Sequence, residues 1–144
     1  MEQASIMQLT RYTDYSLRVL MYLGMHVDKK VTISEIAGFY GISRNHLVKV
    51  VHDLASHDYI HTHRGKGGGM FLARPAREIN IGDVVRHTEP NFHMVECFNP
   101  HATHCPIFVI CGLKGVLDNA LGEFFAMLDR YTLADLLRAP LKIR

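Results

Sequence analysis

No apolar run in the chain approaches the length of about 20 residues that a membrane-spanning helix needs. The start, Met1-Glu2-Gln3-Ala4-Ser5-Ile6, has neither a basic segment nor an apolar stretch, which excludes a secretory signal there and makes the cytoplasm the expected location. No internal repeat or low-complexity tract breaks the 144 residues. Cysteine is scarce: three residues, an odd number that does not close a disulfide framework, in a compartment that keeps thiols reduced. Nucleotide fingerprints, Cys-x-x-Cys pairs and an acid/base pair near the thiols are all missing, so the sequence gives no support for an enzyme. What is present is 48% hydrophobic and 21% charged residues, the balance of a folded soluble chain.

The net charge of +2 is unevenly spread. Residues 41–77 carry six basic side chains against Asp53 and Asp58, residues 1–40 balance, and residues 78–144 hold six basic against eight acidic groups. A positive middle segment suits a polyanionic partner touching one region of the molecule.

The clearest pattern of structure leads into that basic segment. Leu17, Val19, Leu20, Leu23 and Met25 follow Thr13-Asp14, a capping pair, at largely helical spacing, so a helix is predicted over 13–27. Ser34 is predicted to cap a short helix bearing Ile36, Ala37 and Tyr40, which Gly41 ends in a tight turn. Ser43 then opens a second helix, Arg44 to about His57, with Leu47, Val50, Val51 and Leu54 along one face. Two helices joined by a short Gly-containing turn make a helix-turn-helix. The exposed side of the second would present Arg44, Asn45, His46 and Lys49, side chains suited to phosphates and base edges.

Two β-prone runs around Arg64-Gly65-Lys66-Gly67-Gly68-Gly69 predict a hairpin directly after this helix, with Arg64 and Lys66 at its tip. A phosphate-binding loop is the competing reading of the glycines. It fails because no Ser or Thr follows the Gly-Lys pair and the run lies between strands. A short helix is predicted over Ile79 to His87. From Glu89 to about Ile110 there is no periodicity, and a loop of that length asks for a functional reason. From Gly112 a helix carries Leu113, Val116, Leu117, Leu121, Phe124, Phe125 and Leu128, too apolar a face to stay exposed. Dimerisation through it is the economical expectation. A last helix is predicted near Leu133 to Arg138.

All three cysteines lie in or at the edge of that loop, spaced Cys97-x7-Cys105-x5-Cys111. Neither the close pairs of zinc sites nor the intervals of ferredoxins are matched. Three soft thiolates among Phe98, Ile107, Phe108, Val109 and Ile110 nevertheless suit an iron–sulfur cluster, whose access to solvent such neighbours limit. His101 and His104, within the loop, are candidates for a fourth ligand.

The segments Met7 to Tyr15, Tyr40 to Val50, Arg64 to Gly69, Val84 to Pro90 and Tyr131 to Leu136 together resemble the IscR-like iron–sulfur winged-helix regulators, and within them the NsrR-type, nitric-oxide-sensing branch. The resemblance runs from residue 7 to about 138. It implies a mainly α fold with a small β-hairpin: a winged helix-turn-helix DNA-binding domain over 7–77, a short helix and cluster loop over 78–111, and a dimerisation helix with a C-terminal helix over 112–144. It implies Cys97, Cys105 and Cys111 as ligands of a 2Fe–2S or 4Fe–4S cluster, with Asp14 of the partner subunit as the fourth. It implies Ser43, Arg44, Asn45, His46, Lys49, Arg64 and Lys66 as DNA contacts. IscR-type chains have a histidine three residues after the last cysteine; Lys114 stands there instead, which favours the nitric-oxide-sensing branch. The implied function is a homodimeric repressor of operator DNA, released when nitric oxide reacts with the cluster. A thiol-sensing or zinc-binding regulator on the same frame is the alternative.

Overall fold

The computed structural model describes residues 7–102 and 104–138; the reading of residues 1–6 and the end of the 112–144 segment fall outside them. The described chain is mostly helical with one two-stranded antiparallel sheet. Helix α1 spans Arg11–Met25, α2 Ile33–Tyr40 and α3 Arg44–Ser56. Strands β1 (Ile60–His63) and β2 (Gly69–Leu72) follow, paired from Ile60 with Leu72 to His63 with Gly69. Then come a 3-10 turn at Ala76–Glu78, α4 (Ile81–Thr88), α5 (Gly112–Leu128) and α6 (Leu133–Leu136).

Two caps differ from the sequence reading. Helix α1 begins at Thr10, whose hydroxyl accepts from the Thr13 backbone N–H; Thr13 is fully buried inside the first turn. Thr10 takes the capping role because it keeps an extended backbone ahead of the helix, and Thr13 is needed inward. Likewise Thr32, not Ser34, caps α2, in a capping box with Glu35 that a threonine three residues before a glutamate allows. Helix α4 starts two residues later than the apolar pattern indicates, because Asn80 caps it through its side chain. Gly41 ends α2 at φ +68, as a left-handed cap requires.

One core unites the first half of the chain. Val19, Leu20 and Leu23 of α1 meet Ile36, Leu47, Val50, Leu54, Ile60 and Met70, all at most 2% exposed. Leu133 of α6 is buried in the same cluster, so the chain returns to the core after α5. The return is made by backbone: Ile81 N–H donates to Tyr131 O and Leu133 N–H to Ile79 O. Arg86 of α4 grips Asp129, at the end of α5, with two guanidinium nitrogens at 2.7 and 2.8 Å, and Asn80 donates to the Asp129 carbonyl. The same approach needs a glycine at 82, where a Cβ would meet Asp129 Oδ1 at 1.9 Å. Phe125 is held between Phe92 and the Arg86 guanidinium. Helix α5 is therefore anchored at its C-terminal end, and none of its 17 residues is buried. Leu113, Val116, Phe124 and Met127 are 42–64% exposed.

Candidate nucleic-acid interface and cysteine site

The candidate nucleic-acid surface is built on α3. Leu47, Val50, Val51 and Leu54 turn into the core, which leaves Arg44, Asn45, His46 and Lys49 exposed with Ser43 at the helix start. Ser43 occupies the capping position without a side-chain capping bond, so its hydroxyl is not committed to the helix. The five do not stand equally. Arg44 donates to Ser34 Oγ at 3.0 Å, which ties the two helices of the motif together. His46 leans towards α1, its ring 6.1 Å from that of Tyr15. Asn45 and Lys49 are exposed. Two more residues of α3, Val48 and His52, are exposed, three and seven residues on from Asn45 and so on the same side of the helix.

Strands β1 and β2 carry a turn, Arg64 to Gly68, beyond the sheet. Gly65 and Gly67 take φ of +93 and +74, and a Cβ at Gly68 would meet His63 O at 2.3 Å. The glycines thus serve the tight turn that lifts Arg64 and Lys66, both exposed, to the tip. Val31 pairs with Met70 through two backbone hydrogen bonds of 3.0 and 2.8 Å, fixing the hairpin against the start of α2.

The other site lies at the opposite end of α5 from its anchor. Cys111 is the N-cap of α5, Cys97 sits in a 3-10 turn at Glu96–Phe98, and Cys105 lies in the loop between. The three thiols line one cavity of about 490 Å³, with Ile107 and Leu117 among its apolar walls and His104 at its side. All three cysteines are free, Cys97 and Cys111 half-buried and Cys105 exposed. His101 does not line this cavity, and neither does Asp14 of the same chain. Lys114, also in the wall, lies 4.9 Å over the Phe108 ring. Among the described residues no three His, Cys, Asp or Glu side chains converge closely enough to hold a metal ion. The donor type itself, three cysteines lining one cavity, is that of a thiolate-held cluster.

Asp14 lies on the exposed side of α1, where Arg18 holds both carboxylate oxygens at 3.0 Å. One residue earlier, Thr13 joins a polar network that crosses from α1 to the start of the cysteine loop. The Glu89 carboxylate accepts from the Thr10 backbone N–H and from the hydroxyls of Thr10 and Thr13, and Thr88 Oγ1 lies 2.9 Å from Thr13 Oγ1. Between α1 and α3, burial and then the neighbouring Asp53 carboxylate push the Tyr12 hydroxyl far above its ordinary range. No described helix is long and apolar enough to cross a membrane.

A helix-turn-helix, a basic hairpin beside it and a second half that returns to its core define a winged-helix transcriptional regulator. Residues 9–139 match the model of the Rrf2 family, described as iron-dependent transcriptional regulators. The chain is 49% identical to the HTH-type transcriptional regulator NsrR of Bacillus licheniformis over 132 residues, 91% of this chain and 92% of that one. It is equally similar to NsrR of Bacillus subtilis, over 92% and 91% of the two chains. The chain belongs to the Rrf2 family, and like these relatives it is a regulator rather than an enzyme. Its fold is that of T. potens IscR (TM-score 0.72, 24% identity, 92% and 87% of the chains) and of Staphylococcus aureus CymR (TM-score 0.72, 23% identity, 92% and 100%).

Proposed function

We propose that the protein is a cytoplasmic repressor that binds operator DNA as a homodimer, holds an iron–sulfur cluster, and leaves its operator when nitric oxide reacts with that cluster. The observation that carries this reading is the cavity shared by Cys97, Cys105 and Cys111 at the N-terminal end of α5, whose C-terminal end is clamped to α4. The three thiols would hold the cluster, either 2Fe–2S or 4Fe–4S, with Asp14 of the partner subunit as fourth ligand. When bound, the cluster supplies iron that nitric oxide attacks.

The chain's own residues then account for the coupling. Cys111 opens α5, and α5 passes without a break to Asp129, which Arg86 ties to α4. Asp14 is on α1, whose first turn is fixed by Glu89 at the mouth of the cysteine loop. A ligand set drawn from both subunits makes the spacing of two α3 helices depend on the loop. Ser43, Arg44, Asn45, His46 and Lys49 supply base-edge and phosphate contacts in the major groove, while Arg64 and Lys66 reach the minor groove beside it. The apolar side of α5 is the surface that pairs the subunits; among the described residues, Leu113, Val116 and Met127 stay exposed and outside the core cluster. Loss of the shared ligands shifts the population to dimers whose heads no longer match the operator.

The Cys105→Ala protein tests the reading. It is expected to lose both the visible iron–sulfur absorbance and its affinity for operator DNA; full affinity without absorbance contradicts the coupling. A second reading rests on His104, which shares the cavity with the thiols: three Cys and one His form a common zinc set. Zinc without acid-labile sulfide, in anaerobically purified protein, would favour a zinc or thiol sensor on the same frame.

A further inference from the structure

The exposed surface of α3 is not uniformly polar. Val48 is 47% exposed in the middle of a helix whose other large apolar residues, Leu47, Val50, Val51 and Leu54, are at most 5% exposed. The core makes no use of it, and valine is among the weaker helix formers, so neither packing nor helix propensity accounts for its place. Its neighbours on that surface are all polar. With 3.6 residues per turn, Val48 stands about 40° from both Arg44 and His52 and about 60° from Asn45 around the axis. Ser34 holds the Arg44 head to one side, so the middle of the face that meets DNA is Asn45, Val48, Lys49 and His52.

A valine side chain has nothing to offer a phosphate or a hydrogen-bonding base edge. The one apolar group in the major groove is the C5-methyl of thymine, which small aliphatic side chains contact and which distinguishes thymine from the other bases. Resting on the reading of α3 as the base-reading helix, we infer that Val48 is a specificity-determining residue that selects a thymine in each operator half-site through its methyl group. Asn45, one turn earlier, and His52, one turn later, flank the same contact and fix its register along the groove.

The test uses the site that anaerobically purified wild-type protein selects from a random-sequence DNA pool. Each thymine of a half-site is replaced in turn by deoxyuridine, which removes the methyl and keeps the base pair. Burial of one methyl-sized group, about 0.8 kcal/mol, corresponds to roughly a fourfold loss of affinity. Wild type is expected to lose about that factor at one position. Val48→Ala, a replacement helices tolerate well that shortens the apolar reach into the groove, binds the parent site more weakly and shows a clearly smaller penalty for the same replacement. The inference is overturned if no thymine of the half-site responds to methyl removal, or if Val48→Ala keeps the full wild-type penalty. Failure to select any sequence at all would instead overturn base reading by α3, and this inference with it.

Discussion

Arg18 holds Asp14 through both carboxylate oxygens, one turn apart on α1, so the residue implied as a cluster ligand already has a partner within its own subunit. Both side chains are more than a third exposed, and an exposed pair at this spacing contributes only about 0.3–0.5 kcal/mol. Thr10, rather than Asp14 or Thr13, caps the helix. The Asp14→Ala protein is therefore expected to unfold within about 0.5 kcal/mol of wild type in its metal-free form, while its visible spectrum changes and the cluster is lost faster. Unchanged absorbance and cluster lifetime would remove Asp14 from the ligand set.

The Thr10 cap joins α1 to the start of the cysteine loop through Glu89. Thr10→Ala removes the capping hydroxyl and one of the hydrogen bonds that Glu89 accepts. Helix caps of this kind are worth about 0.5–2 kcal/mol, and thermal or urea unfolding of the metal-free protein is expected to show a loss in that range. Wild-type stability would mean that the first turn of α1 is held by other contacts.

Gly82 is a position where a single methyl group has nowhere to go. Alanine there would place its Cβ against Asp129 Oδ1, and the Arg86 clamp must open or the helices move apart. Overpacking of this kind costs about 1–3 kcal/mol. The Gly82→Ala protein should also be cut faster by protease near α5, because the clamp is what ties that helix to α4.

The same clamp sets a pH dependence. Hydrogen bonding to Arg86 holds the Asp129 carboxyl below the usual carboxylate range, and the backbone N–H of Thr132 does the same for Asp135. A depressed folded-state pKa means that the unfolded chain binds the proton more readily. The stabilisation is present above the ordinary carboxylate pKa and fades as pH falls through the lower, folded one. Asp129→Asn should be less stable than wild type near neutrality and converge with it under strong acid. A gap that stays constant with pH would contradict the clamp's electrostatic role.

At the wing, Arg64 and Lys66 are presented by a glycine turn rather than by a helix. Arg64→Ala is expected to weaken DNA binding most where the spacer next to each half-site is rich in A·T pairs, whose narrow minor groove attracts arginine. An equal loss on all spacers, read by gel shift, would point to plain phosphate contact.

Much of this architecture is legible without coordinates. The 3.6-residue apolar spacing gives α1, α3 and α5, and Gly41 marks the turn between α2 and α3 because only a residue free to adopt positive φ ends a helix that tightly. Caps are less legible: Thr10, Thr13, Thr32 and Ser34 are chemically alike, and which of them takes the role depends on which the core claims. Long-range polar contacts such as Arg86 with Asp129, or Glu89 with Thr10, leave no trace in periodicity. Val48 is hidden for a different reason: an apolar residue among core residues at helical spacing reads as core until its exposure is seen. The gathering of the three cysteines on one cavity is foreshadowed by their crowding, but His104 rather than His101 as its neighbour comes only from the path of the loop.

Cluster chemistry and DNA binding are expected to be one event. Anaerobically purified protein titrated with nitric oxide, with visible absorbance and operator binding followed on the same sample, tests it most directly. Absorbance loss and operator release are expected to follow a single titration curve. Operator affinity that persists after the absorbance has gone would contradict it.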